Sequence, residues 1–261
     1  MPAFVRKGAP ALLGAGTLCA ALLLTGCAHP APTAATPPTA PAPPSASAAA
    51  KATAPEATDA RPAGPVRIPG IGPLTQARIP DGTTQALVVT GATENSNTAT
   101  VVLHQRAPGG RWYEAGGPWP AHNALKGWTA DHSAGDLRTP IGVYRIGDAG
   151  GRLPDPGARL PYDEDPEFAI SGTGFHGESL EGSFDHVIAI DYNRVPGRTP
   201  LDKERPLGAD KGGGVWIHVD HGGPTQACVA LDRDDLRTLL VSLDPAAEPV
   251  VVMGPAPALA R

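Results

Sequence analysis

The sequence predicts a mainly β domain with one or two short helices, set behind a disordered N-terminal tether. Three observations carry this. Short runs rich in β-branched residues recur between about residues 85 and 254, separated by Gly, Pro, Asn and Asp. Only one stretch, Leu236, Leu239, Leu240 and Leu243, repeats its apolar residues at helical spacing. Residues 28–65 hold ten prolines and no Leu, Ile, Val, Met, Phe, Tyr or Trp, so they cannot bury enough apolar surface to offset chain entropy.

Taken in chain order, the first segment is MPAFVRKGAPALLGAGTLCAALLLTGC. Arg6 and Lys7 form a short positive region, and residues 8–26 follow without a charge, the layout of an export signal. The competing reading is a membrane-spanning anchor, which Pro10 and the glycines weaken. Leu24-Thr25-Gly26-Cys27 resembles the bacterial lipoprotein signal. That resemblance implies cleavage after residue 26 and lipidation of Cys27, which would anchor the protein in a membrane of the cell envelope, facing the extracytoplasmic side. The expected organisation is a signal peptide at 1–26, a Pro/Ala-rich linker at 27–65 and a folded domain at 66–255. The linker reads as an extended spacer that gives reach from the membrane.

In the folded part, QALVVTG (85–91) and TATVVLHQR (98–106) read as paired strands around the turn residues Asn95-Ser96-Asn97. Gly109-Gly110 turns the chain into RWYEA, a third short strand. IGVYRI (141–146), HVIAIDY (186–192), GVWIHVD (214–220) and EPVVVMG (248–254) are further strands. Asp232 is placed to cap the Leu-patterned helix, and Pro245 ends it. The leucine stripe is core.

The formal charge is −5, and loss of Arg6 and Lys7 makes it more acidic. No basic stripe marks a nucleic-acid partner. Cys19 falls in the signal and Cys27 at its end, leaving Cys228 as the one free thiol in a disulfide-permissive compartment. Such a thiol is either reactive or an inert packed group.

Cys228 lies in GGGVWIHVDHGGPTQACVALDRDDL (212–236). A useful thiol needs a base or a cationic neighbour, and imidazole is the group with a suitable pKa. Strand alternation puts Trp216, His218 and Asp220 on one face. The loop of Gly222, Gly223 and Pro224 can fold Cys228 back towards it. His221 is the alternative base, or a solvated loop histidine. Asp220 could orient an imidazole, or merely face solvent. Zinc on His218, His221 and Cys228 is the rival chemistry, disfavoured because no acid separates the histidines and the segment reads as strand. The remaining histidines read as surface or packing residues.

The segment resembles the signature of the L,D-transpeptidase family with a YkuD-like catalytic domain, in which a strand His precedes a Ser/Thr-His-Gly-Cys motif and an apolar tail. The resemblance makes Cys228 the nucleophile and His218 its base. Thr225 takes the Ser/Thr position, Gln226 and Ala227 replace His-Gly, and Val229 and Leu231 form the tail. Thr139, Pro140, Gly142 and Tyr144 resemble the family's Thr-Pro strand entry. HVIAIDYNR resembles the strand flanking the active site and offers Tyr192, Asn193 and Arg194 as cleft residues. The implied fold is a YkuD-like β-sandwich or open barrel.

The implied reaction is transfer of a peptidoglycan stem peptide through a Cys acyl-enzyme, forming 3→3 cross-links without a cofactor or metal. Backbone N–H groups near Ala227 and Cys228 would hold the oxyanion. Water as acceptor would make the protein an L,D-carboxypeptidase. The departure at Gln226-Ala227 leaves a third reading, a catalytically weak wall-binding lipoprotein. If position 227 requires a positive φ, alanine there is strained.

Overall fold

The computed structural model describes residues 66–261. The proposed signal, Cys27 and the tether lie outside the described residues. Helix α1 (Pro73–Gln76) leads to strands β1 (Gln85–Gly91), β2 (Thr98–Arg106) and β3 (Trp112–His122). The short strands β4 (Trp128–Thr129), β5 (Thr139–Pro140), β6 (Gly142–Arg145), β7 (Ala149–Gly151), β8 (Tyr162–Glu164) and β9 (Val187–Ala189) follow. Then come β10 (Trp216–Val219), β11 (Val229–Leu231), α2 (Arg233–Ser242), β12 (Val250–Pro255) and α3 (Ala256–Leu259). Ten strands form one mixed sheet in the order β6-β12-β1-β2-β3-β11-β10-β9-β7-β8, while β4 and β5 pair separately. The mainly β architecture expected from the sequence is the one found.

The apolar run of β12 does not alternate, which marks a strand buried on both faces. It pairs parallel with β1 and antiparallel with β6, and every one of its residues is buried. Val251 and Met253 join Leu87 and Val89 in the main core. Val250 and Val252 turn the other way, against Ile68, Ile71, Ile79 and Leu259. The single turns α1 and α3 lie at this second core beside the one helix read from the sequence, with Ile71, Ile79 and Leu259 packed into it. Gly72 N–H donates to Leu259 O at 2.9 Å and Leu74 N–H to Arg261 O at 2.9 Å, tying the two ends of the domain together.

Strands β1 and β2 have the bounds read from the sequence. Strand β3 does not stop at RWYEA but runs on to His122. Gly116, Gly117 and Pro118 carry turn chemistry by composition. Register irregularities opposite Val101 to His104 absorb them instead, so pairing with β2 continues.

Helix α2 starts at Asp232, whose carboxylate accepts the Asp234 N–H at 2.9 Å. Asp234 and Asp235 then favour the helix N-terminus electrostatically. Leu236, Leu239, Leu240 and Leu243 are all fully buried in the main core. The chain returns to extended backbone at Leu243 before Pro245. This helix buttresses β10, the strand that carries His218.

Leu240→Ala should destabilise the domain by about 2–5 kcal/mol and Asp232→Ala by about 1 kcal/mol in urea titrations. Val241→Ala, one residue along but 43% exposed, should stay within about 0.5 kcal/mol of the parent.

Candidate active site

The site is built on the parallel pair β10–β11, with Ile217 opposite Val229 and His218 opposite Ala230. Extending that register by one residue sets Trp216 beside Cys228. The Trp216 N–H lies beyond the last ladder bond and donates to Cys228 Sγ at 3.4 Å. The thiol in turn donates to Gly214 O at 3.7 Å. Cys228 is half-buried in this polar backbone cradle rather than sealed in apolar packing. Burial pushes the thiol up to about 11, and the Trp216 N–H works against that rise.

The turn before the nucleophile is fixed through Thr225. Its N–H donates to Asn123 O at 3.0 Å, its carbonyl accepts from Leu125, and its hydroxyl donates to Cys228 O at 2.7 Å. None of these bonds uses the N–H groups of Ala227 or Cys228. Gln226 is exposed and Ala227 is partly buried against the core. Ala227 is not among the residues with positive φ, so the replacement of glycine there carries no left-handed strain.

His218 is buried on β10. Its Nδ1 lies 2.9 Å from Val219 O, a bond that only Nδ1–H can make, so the neutral ring presents a bare Nε2. Burial is the main reason its pKa falls to about 4, with His221 adding to the fall and the Val219 carbonyl opposing it. His218 therefore rests as a neutral acceptor. The hydrogen bonds of Sγ go to Gly214 and Trp216, not to His218.

His221 stacks on His218, with ring centroids 5.8 Å apart and planes 12° apart. Its Nδ1 meets Glu178 Oε1 at 3.1 Å. Burial works to raise the Glu178 carboxyl, but the backbone N–H groups of Glu178 and His176 and the His221 ring together hold it below its ordinary value. Glu178 comes from an irregular segment some forty residues away, and nothing in the local sequence announces it. Gly223 packs so closely on it that a Cβ there would lie 2.1 Å from Glu178 Oε1. Asp220 orients an imidazole, but that of His122, with both oxygens 3.0 Å from Nδ1.

His218, His221, Pro224 and Gln226 form one wall of a cavity of about 230 Å³. Ile170, Phe175, Leu180 and Phe184 form much of the other, and Phe184 makes an edge contact with His218 at 5.5 Å. Cys228 does not line this cavity. Among the described residues no group of three or more His, Cys, Asp or Glu is disposed to hold a metal ion.

Tyr192, Asn193 and Arg194, offered by the sequence as cleft residues, are buried and turned to a different task. The Tyr192 hydroxyl donates to Lys211 O at 2.8 Å. Asn193 Nδ2 donates to Gly208 O and Gly212 O at 2.9 and 2.6 Å, and its Oδ1 accepts from Leu207 N–H. Together they hold the 207–212 loop that delivers Gly214. Arg194 lies between Asp148 and Asp191, at 2.7 and 2.5 Å. Burial raises the Asp191 pKa despite the guanidinium.

A family model for the L,D-transpeptidase catalytic domain, YkuD, matches residues 100–252. No match was found among curated proteins or among solved structures. The chain belongs to the YkuD family, Cys-dependent enzymes that act on peptidoglycan stem peptides.

Two outcomes follow from this geometry. Arg194→Leu would strand two buried carboxylates and should cost about 3–5 kcal/mol of stability, read by denaturation. His218 has a folded pKa near 4 against 6.5, so the folded state binds fewer protons. Its stabilisation is full above pH 6.5 and is lost as pH falls towards 4, by roughly 3 kcal/mol. The pH dependence of unfolding in this window should be shallower in His218→Gln than in the parent.

Proposed function

We propose that this chain is a peptidoglycan L,D-transpeptidase that forms 3→3 cross-links, with Cys228 as nucleophile and His218 as base. The observation that carries the reading is the β10–β11 pairing. It brings a half-buried thiol to the strand that presents a neutral imidazole with a bare Nε2.

The thiol leaves the Gly214 carbonyl and gives its proton to His218 Nε2. Sγ attacks the carbonyl of the diamino acid at the third stem position. The C–N bond to the terminal D-amino acid breaks as the imidazolium returns the proton to the departing amine. The side-chain amine of a neighbouring stem then attacks the thioester, its proton passes to Nε2, and the C–S bond breaks to regenerate the thiol. The N–H groups of Ala227 and Cys228, not engaged in fixing the turn, would hold the oxyanion. Both groups begin neutral, the thiol near 11 and the imidazole near 4. Proton transfer therefore accompanies attack rather than preceding it. The organisation read from the N-terminal segment, lipidation at Cys27 and a tether to residue 65, would fix the enzyme to a membrane of the cell envelope with reach to the wall.

A second reading has its own observation. The thiol is bonded to Gly214 O and its ionisation is suppressed, as befits a wall-binding lipoprotein with a weak site.

Sacculi incubated with the purified protein and digested should yield 3→3 dimers. Trimmed tripeptides instead would mark an L,D-carboxypeptidase. Cys228→Ala should abolish product, and His218→Gln should lower the rate about 10²- to 10⁴-fold. Binding to sacculi with no product and no Cys228 mass adduct from a carbapenem would establish the wall-binding reading in its place.

A further inference from the structure

We propose that Arg205 forms a carboxylate-binding subsite beside the nucleophile, taking the free α-carboxylate of the terminal D-amino acid that leaves the donor stem. This deepens the proposed transpeptidase reading and rests on it.

Arg205 is held on its inner side by two carbonyls, NH1 donating to Asp202 O at 3.0 Å and Glu204 O at 2.8 Å. Its Nε and NH2 edge lies over Gly213 and Gly214. A Cβ at Gly213 would fall 2.2 Å from Nε, and one at Gly214 would lie 3.6 Å from NH2. Gly213 has φ +143 and Gly214 φ +66. The two glycines thus allow a guanidinium to close on the backbone whose Gly214 carbonyl holds the Cys228 thiol.

The charge of Arg205 acts on Asp202 without a direct contact between the two charged groups. It makes no ion pair among the described residues, although acids surround it in sequence. Asp202 and Glu204 both turn to Arg198, at 3.2 and 2.6 Å. Arg194 is consumed by Asp148 and Asp191. Arg205 is thus a half-buried cation whose Nε and NH2 edge faces Gly213 and Gly214, the glycine whose carbonyl accepts from the Cys228 thiol.

The donor supplies the matching anion. Its terminal D-amino acid carries a carboxylate one residue beyond the scissile carbonyl, about 3.8 Å along the chain. A guanidinium recognises a carboxylate through a planar pair of N–H donors. Occupation of the subsite would place the scissile carbonyl within reach of Sγ and would favour stems that still bear the terminal acid.

The test uses the purified protein and its Arg205→Gln variant, both checked for an unchanged melting temperature. The first arm needs no assumption about the reaction. Alkylation of Cys228 by anionic iodoacetate is compared with neutral iodoacetamide. The iodoacetate-to-iodoacetamide rate ratio should fall about 5- to 10-fold in Arg205→Gln, and the difference should shrink at high salt. The second arm follows Cys228 acylation by a tetrapeptide stem ending in a free acid or a carboxamide. The parent should prefer the acid about tenfold or more, chiefly through KM, and Arg205→Gln should lose that preference while acylating with the amide as the parent does. Acylation of the parent with equal use of acid and amide, or a preference that persists in Arg205→Gln, overturns the subsite alone. Failure of both stems to acylate the parent overturns the transpeptidase reading and this subsite with it. In that case the alkylation ratio still reports whether Arg205 charges the surroundings of the thiol.

Discussion

The site depends on the register of two short parallel strands. With Ile217 opposite Val229, the ladder with β11 ends short of Trp216, whose amide turns to the sulfur of Cys228. A slip of one residue would exchange the faces of the strand, burying Cys228 where Val229 now packs and turning His218 into the core. Helix α2, buried through Leu236, Leu239 and Leu240, and β3 on the far side of β11 resist that slip. The apolar core thus fixes a polar geometry that no polar interaction in the site is strong enough to fix alone.

The electrostatics of the pair are set by burial rather than by charged neighbours. The thiol is raised and the imidazole lowered chiefly because burial disfavours the charged form of each. Backbone groups do the fine adjustment: Trp216 N–H on the sulfur, Gly214 O on its proton, Val219 O on the imidazole.

Support for the site comes from loops that lack regular structure but are heavily hydrogen-bonded. Tyr192 and Asn193 hold the segment leading to Gly214, and Arg194 ties Asp148 and Asp191 to Arg198 O. Glu178 holds His221 and packs on Gly223. These long connections give up regular pairing and are ordered by buried side-chain to backbone bonds instead, which satisfy the polar groups that a buried loop would otherwise strand.

The sequence alone determined the strands around Ala86 to Val89 and Val250 to Met253, the capped helix at Asp232 and the strand that carries His218. Each of these is written in local patterning: apolar runs, helical spacing, a cap and a motif. It did not reveal that β3 passes through Gly116-Gly117-Pro118, because bulges against a neighbour override composition. It did not reveal that Tyr192 and Asn193 support a loop and Arg194 pairs with buried carboxylates, because alternation tells which face a residue takes but not what covers that face. Glu178, Arg205 and the Gly214 carbonyl entered the site only through the tertiary structure. Their roles arise from segments distant in sequence being folded together, and short-range periodicity holds no record of such contacts.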